Sequence, residues 1–179
     1  MKYDPMSTIN AQRSFKEEKK QAKASSKTKK VSVKKKKTAK KKKLLTMQQV
    51  KKRLDTVTSK IVRLIAADSN WNIRCISCST LINWKEAHCC HFISRGKLKY
   101  RFDFENLRAG CCSCNKYHPE MHIREFTIKL IDQYWLEKVR EMQETSKDVY
   151  KIWVHELREM LIERKAALKE LEEIKKDIL

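Results

Sequence analysis

Turn-forming residues are scarce in this chain: 179 residues include two glycines and two prolines. A sandwich or barrel of short strands needs a turn about every 8–12 residues, so an all-β fold is excluded. Long apolar runs are missing as well. Nothing approaches the roughly 18–20 apolar residues of a bilayer-spanning helix. No apolar segment near Met1 has the form of a secretory signal, so the expected setting is a reducing one, the cytoplasm. Acidic residues are also few, 22 Asp+Glu against 42 Lys+Arg, for a formal net charge of +20. The length suits one modest domain with tails.

The charge is unevenly placed. Residues 1–43 carry 17 Lys/Arg and three acids, a net of +14, while the other 136 residues carry only +6. The lysines are densest at Lys34, Lys35, Lys36, Lys37, Lys40, Lys41, Lys42 and Lys43. With almost no aliphatic residues this segment cannot bury enough apolar surface to offset its ordering entropy, so a disordered tail is expected. A flexible polycation binds a polyanion by counterion release without reading sequence, and DNA is the expected partner. A solubilising, nuclear-targeting or membrane-attracted tail is the alternative.

Beyond the tail the apolar period changes. Across 44–69, Leu45, Met47, Val50, Leu54, Val57, Ile61 and Leu64 fall at helical spacing and predict one amphipathic helix. Residues 70–122 are irregular and hold all seven cysteines and four of the five histidines. Residues 123–179 predict two helices, the first with Phe126, Leu130, Tyr134 and Trp135, the second with Trp153, Leu157, Leu161 and Leu171. Ser146 stands between them as a candidate cap of the second. Their apolar stripes read as core or as the seam of a helical hairpin, a dimer contact being the sharper alternative. His155, alone in the last helix, reads as structural.

Cys75-x-x-Cys78 and Cys111-x-x-Cys114 are two knuckles separated by 32 residues. Four thiolates fill a tetrahedral Zn²⁺ shell, and a two-residue gap lets both sulfurs of a knuckle face one ion. A closed shell is structural, and here it would replace a missing apolar core. Cys112 could take the place of Cys111. Cys89 and Cys90 sit in a strand-like His-Cys-Cys-His-Phe-Ile stretch and read as small packing residues, against a second metal site made with His88 and His91.

Between the knuckles stand His91-Phe92-Ile93-Ser94-Arg95-Gly96 and Arg101-Phe102-Asp103-Phe104-Glu105-Asn106, and Asn115 follows the second knuckle. This order resembles the NinG/Rap family of phage recombination nucleases, a branch of the HNH (ββα-metal) endonucleases. The resemblance runs from about Leu64 into the C-terminal helices and leaves out the lysine tail. It implies a zinc-stabilised ββα-metal core, so the whole is expected to be a small α+β fold in which the apolar periods add an N-terminal helix and a C-terminal helical hairpin, and the composition adds the disordered basic tail. By the same resemblance His91 would be the general base, and Asn106 would hold the loop and orient it. Asn115 would ligate a catalytic Mg²⁺ or Mn²⁺, as the asparagine of the related phage endonuclease VII does, with Arg95 as phosphate clamp. An imidazole suits the base role because its pKa lies near neutrality.

The chain departs from the family pattern in places. Cys90 replaces a glycine, Gly110 a frequent glutamine, and His88 an aspartate that would be the second metal ligand. In a regular strand, positions 88 and 91 point to opposite faces, so a bulge is expected there. His122 could also reach the metal. His118 should lie outside the helix, which Pro119 would begin. Lys97, Lys99 and Arg101, interleaved with Tyr100 and Phe102, are expected to contact phosphates and stack on unpaired bases. The resulting expectation is metal-dependent hydrolysis of branched DNA in a bacterial host cell, where two symmetric cuts would favour a homodimer. The alternatives are a non-catalytic zinc-built DNA-binding protein, or an HNH nuclease acting on ordinary duplex.

Overall fold

The computed structural model of the protein describes residues 44–177. The expectations for the lysine-rich segment, Lys34 to Lys43 included, lie outside the described residues. In chain order the elements are α1 (Met47–Ala66), β1 (Asn72–Arg74), β2 (Leu81–Asn83), β3 (His88–His91), a single turn α2 (Leu98–Arg101), a 3₁₀ turn (Phe104–Asn106), β4 (Leu107–Gly110), α3 (Cys112–Tyr117), α4 (Pro119–Thr145) and α5 (Val154–Asp177). The fold is small and α+β, with two separate two-stranded antiparallel sheets, β1–β2 and β3–β4.

Helix α1 starts where Thr46 and Gln49 cap each other. The Gln49 amide donates to Thr46 Oγ1, and Thr46 N–H donates to Gln49 Oε1. This reciprocal box satisfies two otherwise orphaned donors. Its apolar stripe, Val50, Leu54, Val57, Ile61 and Leu64, is buried against Leu157, Leu161 and Leu171 of α5 and against Leu107 and Ala109 of β4. A second core forms on the other side of the β3–β4 hairpin. There Cys90, Phe92, Ile93 and Tyr100 meet Phe126, Leu130, Tyr134, Val139 and Met142 of α4. Alternation along a strand is what lets one hairpin serve two cores.

Several expectations change here. The last two helices do not form a hairpin: α5 lies along α1, because the two matching apolar stripes bury each other while that of α4 is taken by β3 and the loop after it. Ser146 closes α4 rather than opening α5. Its N–H donates to Met142 O at 3.1 Å and its hydroxyl to Gln143 O at 2.7 Å. At the start of α5, Glu156 accepts from Trp153 N–H instead. Trp135 and Trp153, expected among apolar core positions, are each 71% exposed. Trp135 has φ 69° and interrupts α4, so the helix changes direction there. Proline does begin α4, and His118 precedes it with non-helical angles.

Candidate active site and metal centre

The two knuckles meet in space. The Sγ atoms of Cys75, Cys78, Cys111 and Cys114 all lie within 4.8 Å of one another. Cys78 and Cys111 are 3.8 Å apart. That matches the edge of a tetrahedron with Zn–S bonds of about 2.3 Å, which comes to about 3.8 Å. The backbone is already arranged for thiolates: Cys111 N–H points at Cys75 Sγ at 3.2 Å, and Cys114 N–H at Cys111 Sγ at 3.3 Å. Hydrogen bonds of this kind orient metal ligands. The Thr80 side chain, 3.2 Å away, holds the Cys78 thiol down at about 6, whereas burial pushes Cys75 and Cys114 up. The four cysteines can therefore hold a metal ion such as zinc. Cys111, not Cys112, belongs to the set, because Cys112 is the first residue of α3 and lies outside the cluster.

Gly110, just before the second knuckle, is required by close approach. A Cβ there would come within 2.7 Å of Cys90 Sγ and 3.5 Å of Cys75 Sγ. Cys90 is fully buried, and burial raises its thiol pKa. It packs beside the centre as the small residue expected. Cys89 is pushed up to about 12 by burial. Among the described residues, His88, Cys89, Cys90 and His91 do not converge as a second cluster of this kind.

A cleft of about 740 Å³ opens between α1 and the β3–β4 hairpin. Strand β3 supplies His88, Cys89 and His91, the following loop Ser94 and Arg95, the turn α2 Arg101, helix α3 Asn115 and Lys116, and helix α1 Asp55, Thr58, Ser59 and Arg63. Both histidines line it although β3 is regular, with His88 opposite Gly110 and His91 opposite Leu107. The expected bulge is not there; His88 is the first residue of the strand and reaches the cleft beside α3. His88 Nδ1 lies 3.1 Å from the side-chain amide of Asn115. Burial, Lys116 and Arg63 lower the His88 pKa, so its neutral form, the one with a lone pair for a metal, is favoured. Burial and then Arg95 lower that of His91, partly offset by the Arg101 backbone and by Asp55.

Behind His91 the loop is pinned by Asn106, which is fully buried. Its Oδ1 accepts from Ile93 N–H at 2.5 Å, and its Nδ2 donates to Ile93 O and Tyr100 O, each at 2.9 Å. Arg101 is held by both carboxylate oxygens of Asp55, at 3.0 and 2.7 Å. Lys97 and Lys99 are exposed on the same loop but outside the cleft. Tyr100 and Phe102, expected to be free to stack, are 5% and 4% exposed and belong to the cores. His122 does not enter the cleft: it is buried beside Phe126, with Nδ1 2.5 Å from Ser77 Oγ, so it braces the first knuckle from beneath. The α1 wall escaped the sequence reading. Its signal was the polar spacing of Asp55, Ser59 and Arg63 beside the apolar stripe. Arg63 Nη1 bonds the carbonyls of Trp84, Lys85 and Ala87, tying α1 to the segment that leads into His88.

The family described as Bacteriophage Lambda NinG protein matches residues 3–175. The chain belongs to the NinG family. No curated protein and no solved structure matches it. The NinG match begins at residue 3 and so takes in the lysine-rich segment, which the run of separate motifs leaves out; a lysine tract offers no motif to recognise. Cys90 and Gly110, both read from the sequence as departures from the resembled pattern, are neighbours: the Cys90 thiol fills the space that the absent Cβ of Gly110 leaves open. No described helix is long and apolar enough to cross a membrane.

Proposed function

We propose that this NinG-family chain is a metal-dependent endonuclease of the HNH type, hydrolysing phosphodiesters in branched DNA intermediates of phage recombination. The observation that carries this reading is the convergence of His91, His88, Asn115 and Arg95 on one cleft. The branched substrate rests on the family resemblance alone. The chain order β3–β4–α3 with its long inter-strand loop fits a ββα-metal core held at its base by the four cysteines.

His91 would take the proton of the attacking water. The lowered pKa keeps its imidazole neutral at pH 7, the state a base requires. Asn106 fixes the residues that follow His91 and so its position, and Arg95 would clamp a phosphate oxygen. His88 and Asn115 offer a neutral imidazole and an amide side by side, a donor pair suited to a divalent ion, Mg²⁺ or Mn²⁺. Such an ion, when bound, would stabilise charge on the phosphate and departing oxygen. The Cys90–Gly110 complementarity supports an intact rather than a degenerate site, since one change accommodates the other.

The test is cleavage of labelled duplex, flap and four-way junction with Mg²⁺, with Mn²⁺ and without added divalent ion, comparing wild type with His91→Ala. Cutting of branched substrates that needs both the ion and His91 is expected. Tight binding with no cut under any condition would instead leave a zinc-built DNA-binding protein.

A further inference from the structure

The α1 wall of the cleft carries one buried polar group with nothing to hold. Asp55 is engaged by Arg101 through both oxygens, and Arg63 by the carbonyls of Ser59, Trp84, Lys85 and Ala87. Thr58 stands between them in the sequence and lines the same cleft at 2% exposure, and its Oγ1 has no hydrogen-bond partner. Helical threonines have an easy way out, a bond to the carbonyl four residues back. Thr56, Thr127 and Thr145 all take it, donating to Lys52, Ile123 and Glu141. Thr58 does not. A buried hydroxyl left unbonded is unfavourable, and such a group in a native fold calls for a partner outside the chain's own atoms, an ordered water or a ligand.

The surrounding charge says which partner. Arg63, Lys85, Arg95, Arg101 and Lys116 outnumber Asp55 and Glu86 along the cleft, so an oxyanion is favoured there. We propose that Thr58 is a substrate-binding residue whose hydroxyl donates to a non-bridging phosphate oxygen of DNA seated between α1 and β3. This rests on the nuclease reading for the identity of the substrate, but not on any cleavage. It makes α1 a wall of the binding site rather than only a core helix.

The experiment measures binding of a labelled four-way junction in a His91→Ala background with Ca²⁺ in place of Mg²⁺, across a salt series, for Thr58, Thr58→Val and Thr58→Ser. Cleavage by otherwise wild-type protein and the melting temperature are followed in parallel. Valine keeps the shape and removes the hydroxyl, so Thr58→Val should melt no lower than the parent. It should bind about tenfold more weakly at every salt concentration with an unchanged slope, because a neutral donor releases no counterion. Thr58→Ser should bind like the parent. Unchanged binding by Thr58→Val would overturn the proposal, as would a lowered melting temperature, which would reveal an internal partner for the hydroxyl. If wild type binds but never cuts, the nuclease reading fails while the Thr58 contact is still decided by affinity.

Discussion

Replacing Asn106 by alanine tests the local architecture without assuming any chemistry. The side chain is fully buried and makes three hydrogen bonds, one accepted from Ile93 N–H and two donated to the carbonyls of Ile93 and Tyr100. Alanine removes all three and strands the N–H and C=O of Ile93 where water has no access, while Tyr100 O keeps the Asp103 N–H at 3.2 Å. A typical hydrogen bond contributes about 1 kcal/mol net, but leaving a buried partner unpaired costs about 1–3 kcal/mol. Some relaxation of the loop is unavoidable, so the expected loss is about 3–5 kcal/mol, a large part of the about 5–15 kcal/mol that holds a small domain together. Asn106→Asp is the sharper control. It is nearly isosteric and can still accept from Ile93 N–H, but it sets an oxygen against two carbonyls and should cost at least as much. Urea unfolding of the zinc-loaded protein, with the slope checked for constancy, reads both values. A loss below about 1 kcal/mol for Asn106→Ala would refute the reasoning, because the three bonds could then not be the ones that pin the loop.

Further expectations follow from the metal centre, the hairpin and the base. Zinc should bind at one ion per chain, with Cys111→Ser losing it and Cys112→Ser keeping it, as read by metal analysis after gel filtration; zinc retained by Cys111→Ser would overturn the cluster assignment. Gly110→Ala should destabilise the fold by about 1–3 kcal/mol through overpacking against Cys90. Cys90→Ala should recover part of that loss in a double-mutant cycle, and strictly additive effects would count against the contact. The cleavage rate should rise with pH through a pKa below the ordinary histidine value and level off before neutrality, since burial and Arg95 both disfavour the protonated form of His91. Arg95→Gln removes one of those positive influences, so the acid limb should move to higher pH; an unmoved limb would mean that His91 does not set it.

The four-cysteine cluster and the start of α4 at Pro119 were legible in the chain because each rests on local chemistry. Two knuckles specify their own geometry, and proline disfavours helical angles at the single residue before it, here His118. The amphipathic stripe of α1 was readable for the same reason, since its period is local. Partner choice was not. The stripes on α1, α4 and α5 are similar in kind, and only three-dimensional packing decided that α5 covers α1 and that α4 takes the opposite face of the hairpin. The same holds for Tyr100 and Phe102, whose neighbours in sequence are basic while their neighbours in space are apolar.

The sequence by itself picked out Cys75, Cys78, Cys111 and Cys114 as a metal-binding set, and put forward His91, Asn106 and Asn115, by their order along the chain, as the residues of the proposed chemistry. Only the tertiary structure decided what they face. It chose Cys111 over Cys112, because a thiol on the first residue of α3 lies outside the cluster. It set His88 beside Asn115 across 27 residues of chain and sent His122 to the underside of the first knuckle. It also brought Asp55, Thr58 and Arg63 to the cleft from a helix whose pattern announces only a core. A one-dimensional pattern records spacing within an element, whereas the walls of a site come from elements that packing brings together, and that energy is nonlocal.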